Sequence, residues 1–183
     1  MSLAVVEPLL TNADLENLPD DGKRYELIGG QLLVASAPNL VHQRIAGRTY
    51  FNFARFLEQN PIGEIILTPG VIFSDYDGVI PDLVYLSHAR AEEIAGGSRI
   101  YGAPELVIEI LSPGNAIRDR RDKLQLYNRF GVDEYWIMVP RERAVEVYRR
   151  ENGGLRLFTT YAGEEIITTP WLPDFSCVAA KLF

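Results

Sequence analysis

Apolar and polar residues alternate in short runs along most of this chain, and twice they shift to helical spacing. "RYELIGGQLLVA" sets two apolar runs around Gly29-Gly30, which predicts a β-hairpin. Residues about 40–59 carry Ile45, Tyr50, Phe53 and Leu57 near helical period, and Asn60-Pro61 ends the run. A long amphipathic helix is expected there. "EIILTPGVIFS" predicts two short strands broken at Pro69-Gly70, and "VIPDLVYLS" a third. Ser87 is placed to cap a short helix, "HARAEEIA", that Gly96-Gly97 ends. "PELVIEILSPG" reads as a buried strand, and residues about 116–130 as a helix closed by Gly131. "EYWIMVP", "AVEVYRR" and "LRLFTTY" are further strands. Near the start, Thr11 and Asp14 open a short helix, and "PDDG" is a turn. This order predicts a mixed α/β domain: a central mixed sheet with helices packed on it.

Two acids interrupt this pattern. Alternation places Glu109 on the same strand face as Val107 and Leu111, and Asp82 between Ile80 and Val84. Pro81, just before Asp82, suits an edge, a strand start or a bulge. If the two strands are neighbours, the carboxylates converge. Close carboxylates repel unless something positive lies between them, and hard divalent cations prefer oxygen ligands. The plain alternative is that each acid pairs with an arginine or meets water at a strand end.

On a wheel of residues 116–130, Ile117, Leu124, Tyr127 and Phe130 define the inward stripe, and Arg120 and Lys123 fall within it. A lysine facing the core needs an anionic target. The plain alternatives are that its stem lets the ammonium snorkel to water, or that Asp119 pairs with it one turn away.

Composition sets the outer limits. At 183 residues, 47% hydrophobic and 23% charged, the chain suits one globular domain over residues 1–183. No apolar run approaches the roughly 20 residues of a membrane span. The N-terminus lacks the features of a secretory signal. Cys177 is the one cysteine, so an intramolecular disulfide is excluded and a cytoplasmic setting is the expectation. Two histidines and one cysteine cannot build a structural zinc site. There is no GxSxG and no Walker-type phosphate loop.

With "RYELIGGQLL", "VIPDLVYLS", "ELVIEILSPGN" and "RRDKLQLYNRFGVDEYWIM" in this order, the chain from about Tyr25 to Met138 resembles a large bacterial restriction-endonuclease-like family of the PD-(D/E)XK nuclease superfamily. The resemblance implies a restriction-endonuclease-like core and a site that uses Mg²⁺ or Mn²⁺ to hydrolyse phosphodiester bonds of nucleic acid, DNA first. Asp82 matches the motif aspartate, Glu109 the second acid, and Glu26 an acid of the family's N-terminal hairpin as a third metal ligand. The superfamily's lysine normally stands two residues after the second acid, where this chain has Leu111. Lys123 is the replacement the wheel favours. The departure keeps open a second reading, a nuclease-fold protein that binds nucleic acid or a protein without cleaving. A homodimer is implied by resemblance, and the tail "PWLPDFSCVAAKLF" suits either an interface or the core.

A formal net charge of −7 argues mildly against a nucleic-acid partner, although a sum can hide a basic face. Candidate backbone contacts are Arg44 and Arg48 on the long helix, and Arg118, Arg120 and Arg121 on the later one. Two ordinary solvated helix faces are the plain alternative.

Overall fold

The computed structural model describes residues 9–112 and 119–183. Two six-stranded mixed sheets carry the fold among these residues. The first follows the order β2-β1-β5-β4-β8-β7, the second β12-β11-β10-β9-β6-β3. The first sheet is built from β1 (Arg24–Ile28), β2 (Gln31–Ala35), β4 (Val71–Ser74), β5 (Asp77–Val79), β7 (Ala95–Gly96) and β8 (Arg99–Tyr101). The second contains β3 (Gly63–Leu67), β6 (Leu83–Ser87), β9 (Leu106–Ile110), β10 (Glu134–Val139), β11 (Ala144–Glu151) and β12 (Gly154–Ala162). In the second sheet β9 and β10 run parallel, and the other neighbours are antiparallel.

Most elements follow the local sequence chemistry. The β1–β2 turn is Gly29-Gly30, with φ of 58° and 75°, a conformation that glycine adopts without a Cβ penalty. Helix α1 (Asn12–Leu15) opens on the Thr11–Asp14 capping box. Helix α2 (Leu40–Gln59) is capped by Asn39, whose side chain accepts from the His42 amide. Ser87 caps α3 (His88–Ile94) by accepting from the Arg90 amide. Helix α4 (Leu124–Phe130) ends at Gly131, which is left-handed.

The structure departs from the sequence reading in three places. "VIPDLVYLS" is not one strand: β5 ends at Val79 and β6 begins at Leu83, so Pro81 and Asp82 lie in the break between the two sheets. The helix before Gly131 opens, within the described residues, as a π-turn over Asp119–Lys123. The short β7–β8 pair lacks a readable pattern at two and three residues.

The second sheet buries apolar side chains on both faces. One face packs on α2 and the C-terminal segment, joining Ile45, Phe53, Leu106, Ile108, Trp136, Phe175 and Leu182. The tail, with its β13–β14 pair (Ile166–Ile167 and Cys177–Val178), is therefore core. The other face, with Val107, Leu111, Tyr135 and Ile137, meets α4 and the first sheet's Val71, Val79 and Ile100. Central strands buried on both sides explain the near-continuous apolar runs in β6, β9 and β10.

Phe53 ties three segments together. It is fully buried, edge-on to Trp136 with ring centroids 5.6 Å apart and 4.6 Å from Phe175. Phe53→Ala should cost about 3–5 kcal/mol in a denaturant titration. Phe51→Ala, on the exposed side of the same helix, should stay within about 0.5 kcal/mol of the parent. Equal losses would show that the helix is not seated by this face.

Candidate active site

The break before β6 and the middle of β9 meet at one place. Leu83 pairs with Ile108, so one step further the antiparallel register sets Asp82 opposite Glu109 on the same face. Both acids are buried, at 4% and 6% exposure. Glu26 arrives from β1 of the other sheet, and Lys123 from the π-turn; they are 7% and 6% exposed. All four line one cavity of about 400 Å³, walled also by Arg24, His42 and the Val34–Asn39 segment.

The contacts fall into two groups. Lys123 Nζ donates to Glu109 Oε1 at 2.8 Å and to Glu26 Oε1 at 3.1 Å. The Tyr127 hydroxyl, one turn on, donates to the same Glu109 oxygen at 2.6 Å. The Ile80 amide donates to Glu26 Oε1 at 2.7 Å. Asp82 belongs to the second group. Its Oδ2 accepts from the Ile110 amide at 2.9 Å and lies 3.0 Å from His42 Nε2, while Arg24 stands 3.3 Å from Oδ1.

The two strand acids titrate in opposite directions. Burial raises the Asp82 carboxyl, but the hydrogen bond and charge of His42, the Ile110 amide and the Lys123 charge outweigh it and hold the group low. Burial pushes Glu109 up to about 8, with the Asp82 and Glu26 charges adding to the rise and Lys123 opposing it. Burial works against the Lys123 charge, yet Glu109, Glu26 and Asp82 overcome it and raise the ammonium. A raised acid and a raised amine in one pair look inconsistent. They are compatible because Lys123 faces two glutamates: it stays charged against Glu26 while Glu109 takes up a proton near neutrality.

Asp82, Glu109, Glu26 and Lys123 therefore meet in one cavity. Lys123 reaches Glu109 directly from the helix side, and Leu111 is buried in the apolar cluster beside Val107. Lys123 touches Glu26 and Glu109, and no bond joins it to Asp82. The Asp119 side chain lies outside the described residues, as does Arg118. Arg120 pairs with Glu146 at 2.8 Å and Arg121 with Asp122 at 3.2 Å. Arg44 and Arg48 are exposed on α2, outside the cavity.

Sequence reading missed Arg24, Tyr127 as a hydrogen-bond donor, and above all His42. His42 is 7% exposed, and its Nδ1 is buried with no partner among the described residues. Its signal was available: a wheel centred on Ile45, Phe53 and Leu57 turns residues 42 and 49 inward and leaves Tyr50 at the edge of the stripe. Other buried acids have ordinary structural partners. Glu134 accepts from Trp136 and Arg149, and Asp77 from Gly29, Ser74 and Arg129.

The raised Glu109 carboxyl makes stability in chelator depend on pH. Its folded-state value lies above the unfolded 4.5, so its contribution is full below about 4.5 and drains away as pH rises through about 8. Glu109→Gln has no such proton to lose. The melting temperature of Glu109→Gln minus that of the parent should therefore climb between about pH 5 and 8.5. A difference independent of pH would contradict the raised value.

The fold is shared with a solved structure. A crystal structure described as a putative nuclease belonging to DUF820, from Anabaena variabilis, superposes with a TM-score of 0.78. The match covers 95% of this chain and 97% of that one at 20% sequence identity, which speaks to fold. No curated protein matches the chain. The family pattern described as "Putative restriction endonuclease" matches residues 13–180, and the chain belongs to that family, Uma2.

Proposed function

We propose that this protein is a divalent-metal-dependent nuclease that hydrolyses phosphodiester bonds, with DNA as its substrate. The family and fold are those of restriction-endonuclease-like nucleases, which generally use a divalent metal. The observation that carries the reading is the 2.8 Å contact between Lys123 and Glu109 beside Asp82.

The donor set fits a hard cation. Glu26 and Glu109 each engage the protein through Oε1, and their Oε2 atoms have no hydrogen bond among the described residues. No three His, Cys, Asp or Glu side chains are gathered into a ready cluster among those residues. Mg²⁺ does not need one, since it usually binds one or two carboxylates and fills its shell with water and substrate phosphate. Asp82 and Glu109 would hold Mg²⁺ or Mn²⁺, with Glu26 as a third donor. When bound, the ion polarises a phosphate oxygen and lowers the pKa of an attacking water.

The chain's own residues do the rest. His42 and the Ile110 amide fix the Asp82 carboxylate, as outer-layer partners do for metal ligands. Lys123 offers a fixed positive charge to the phosphate and to the charge that develops in the transition state. Glu109 passes its proton to solvent as the site loads. Arg44 and Arg48 contact the nucleic-acid backbone, and Arg118, Arg120 and Arg121 remain part of the proposal.

One observation favours a binding module instead. Leu111 fills the position of the superfamily's lysine and is buried in apolar packing. Plasmid nicking in Mn²⁺ separates the readings. The parent should nick, Asp82→Asn should not, and Lys123→Met should lose orders of magnitude in rate while its Mn²⁺ affinity changes little. A parent that never nicks sinks the enzymatic reading. Calorimetry in buffers of differing ionisation heat tests the site without activity. At about pH 7 the parent should release close to one proton per Mn²⁺ bound, because Glu109 titrates near 8. Glu109→Gln should release none, and zero release from the parent would remove Glu109 from the metal site.

A further inference from the structure

The described cations divide sharply by partner. Of the arginines, eight stand within 4.0 Å of an acid. Arg44, Arg48, Arg55, Arg141, Arg143 and Lys181 form no ion pair among the described residues, and all six are exposed. These six line two adjoining grooves that share Arg44 and Arg48. One groove runs along α2 past Phe51 to Lys181, and the other lies between α2 and the β10–β11 turn. Arg156, on β12, is unpaired but lies outside both grooves.

We propose that this ridge is a track for the phosphate backbone of nucleic acid, outside the catalytic cavity. The proposal deepens the nuclease reading and rests on it for the identity of the polyanion. The cavity sets Glu26, Asp82 and Glu109 against Arg24, His42 and Lys123 and so holds no surplus positive charge, which leaves affinity for a phosphate backbone to come from elsewhere on the surface. The ridge starts beside the cavity: Arg44 follows His42 by two residues on the same helix. From Arg44 to Arg55 the helix rises about 16 Å, the length of roughly five phosphates along one strand. Phe51, 60% exposed, sits within the row, and the Arg55 guanidinium lies 5.7 Å from its ring. Glu142 is the acid nearest in sequence to the turn's arginines, and it is ion-paired to neither. A second copy of the chain is a poor occupant, because a two-fold contact would set the ridge against its own positive charge.

The test is fluorescence anisotropy with a labelled duplex of about 25 base pairs, in EDTA, over a salt series. The combined variant Arg44→Ala, Arg48→Ala, Arg141→Ala should fold like the parent, checked by melting temperature. It should bind at least tenfold more weakly, and its log–log salt slope should be shallower by about 2–3, near 0.9 per lost phosphate contact. Arg156→Ala should match the parent. Equal losses in both variants would mean diffuse charge attraction and overturn the track, as would an unchanged combined variant or a parent that binds anionic phosphatidylserine vesicles and not DNA. A parent that binds through the ridge but never nicks plasmid in Mn²⁺ upholds the track and sinks the nuclease reading alone.

Discussion

The buried ammonium of Lys123 is the contact that the rest of the site depends on. It stands between Glu26 of one sheet and Glu109 of the other, so the two sheets and the helix that follows β9 meet at one charge. Removing one partner from a buried pair typically costs about 3–5 kcal/mol, because the remaining charge is left uncompensated in a poorly solvated place. Apolar residues of the same volume would hold the sheets at least as well. Stability alone does not require this arrangement, and the proposed cation site would account for it, with Glu26 and Glu109 on the ammonium and Asp82 lining the same cavity.

The site also separates its two strand acids by environment. Asp82 is surrounded by donors, an amide, an imidazole and a guanidinium, and stays ionised. Glu109 has one ammonium shared with Glu26 and one hydroxyl, and near neutrality it carries a proton. Neighbouring acids whose surroundings push them apart can take different roles. In the proposed metal site Asp82 would be the standing anionic ligand, and Glu109 would ionise as positive charge enters the cavity. His42 keeps the first state in place, and its buried Nδ1 has no hydrogen-bond partner among the described residues.

Strand period carried most of what could be read in advance. Alternation by itself set Glu109 with Val107 and Leu111, and Asp82 with Val84, and the cross-strand register then brought the acids together. The wheel turned Lys123 inward although the described helix opens as a π-turn, because residues 123 and 127 keep a common face. It misjudged the apolar stripe, where Leu126 is more deeply buried than Leu124. What local pattern could not supply was partnership across distance. Glu26 came from resemblance, since a hairpin acid has no periodic signature. Arg24 and His42 needed the tertiary pairing of β1, α2 and the break before β6. That break was itself hidden, because Val79 to Leu83 is apolar enough to read as one strand.

The position of the lysine shows what the superfamily pattern constrains. A lysine at 111 would share Glu109's strand face by alternation, and that volume here closes the apolar cluster with Val107. Lys123 brings its ammonium to the same carboxylate from another backbone element. Such a substitution works only if the helix is held in register. Two residues one turn apart, Lys123 and Tyr127, bond the same oxygen of Glu109, which fixes the helix's rotation. Phe130 stacks on Phe73 with ring centroids 5.0 Å apart, and Arg129 pairs with Asp77, so the far end of the helix is tied to the first sheet. The requirement is therefore on where the charge ends, with rotation and seating of the helix replacing a fixed spacing along the strand. A spacing rule applied to β9 alone would set this site aside, although the ammonium lies within hydrogen-bond distance of Glu109.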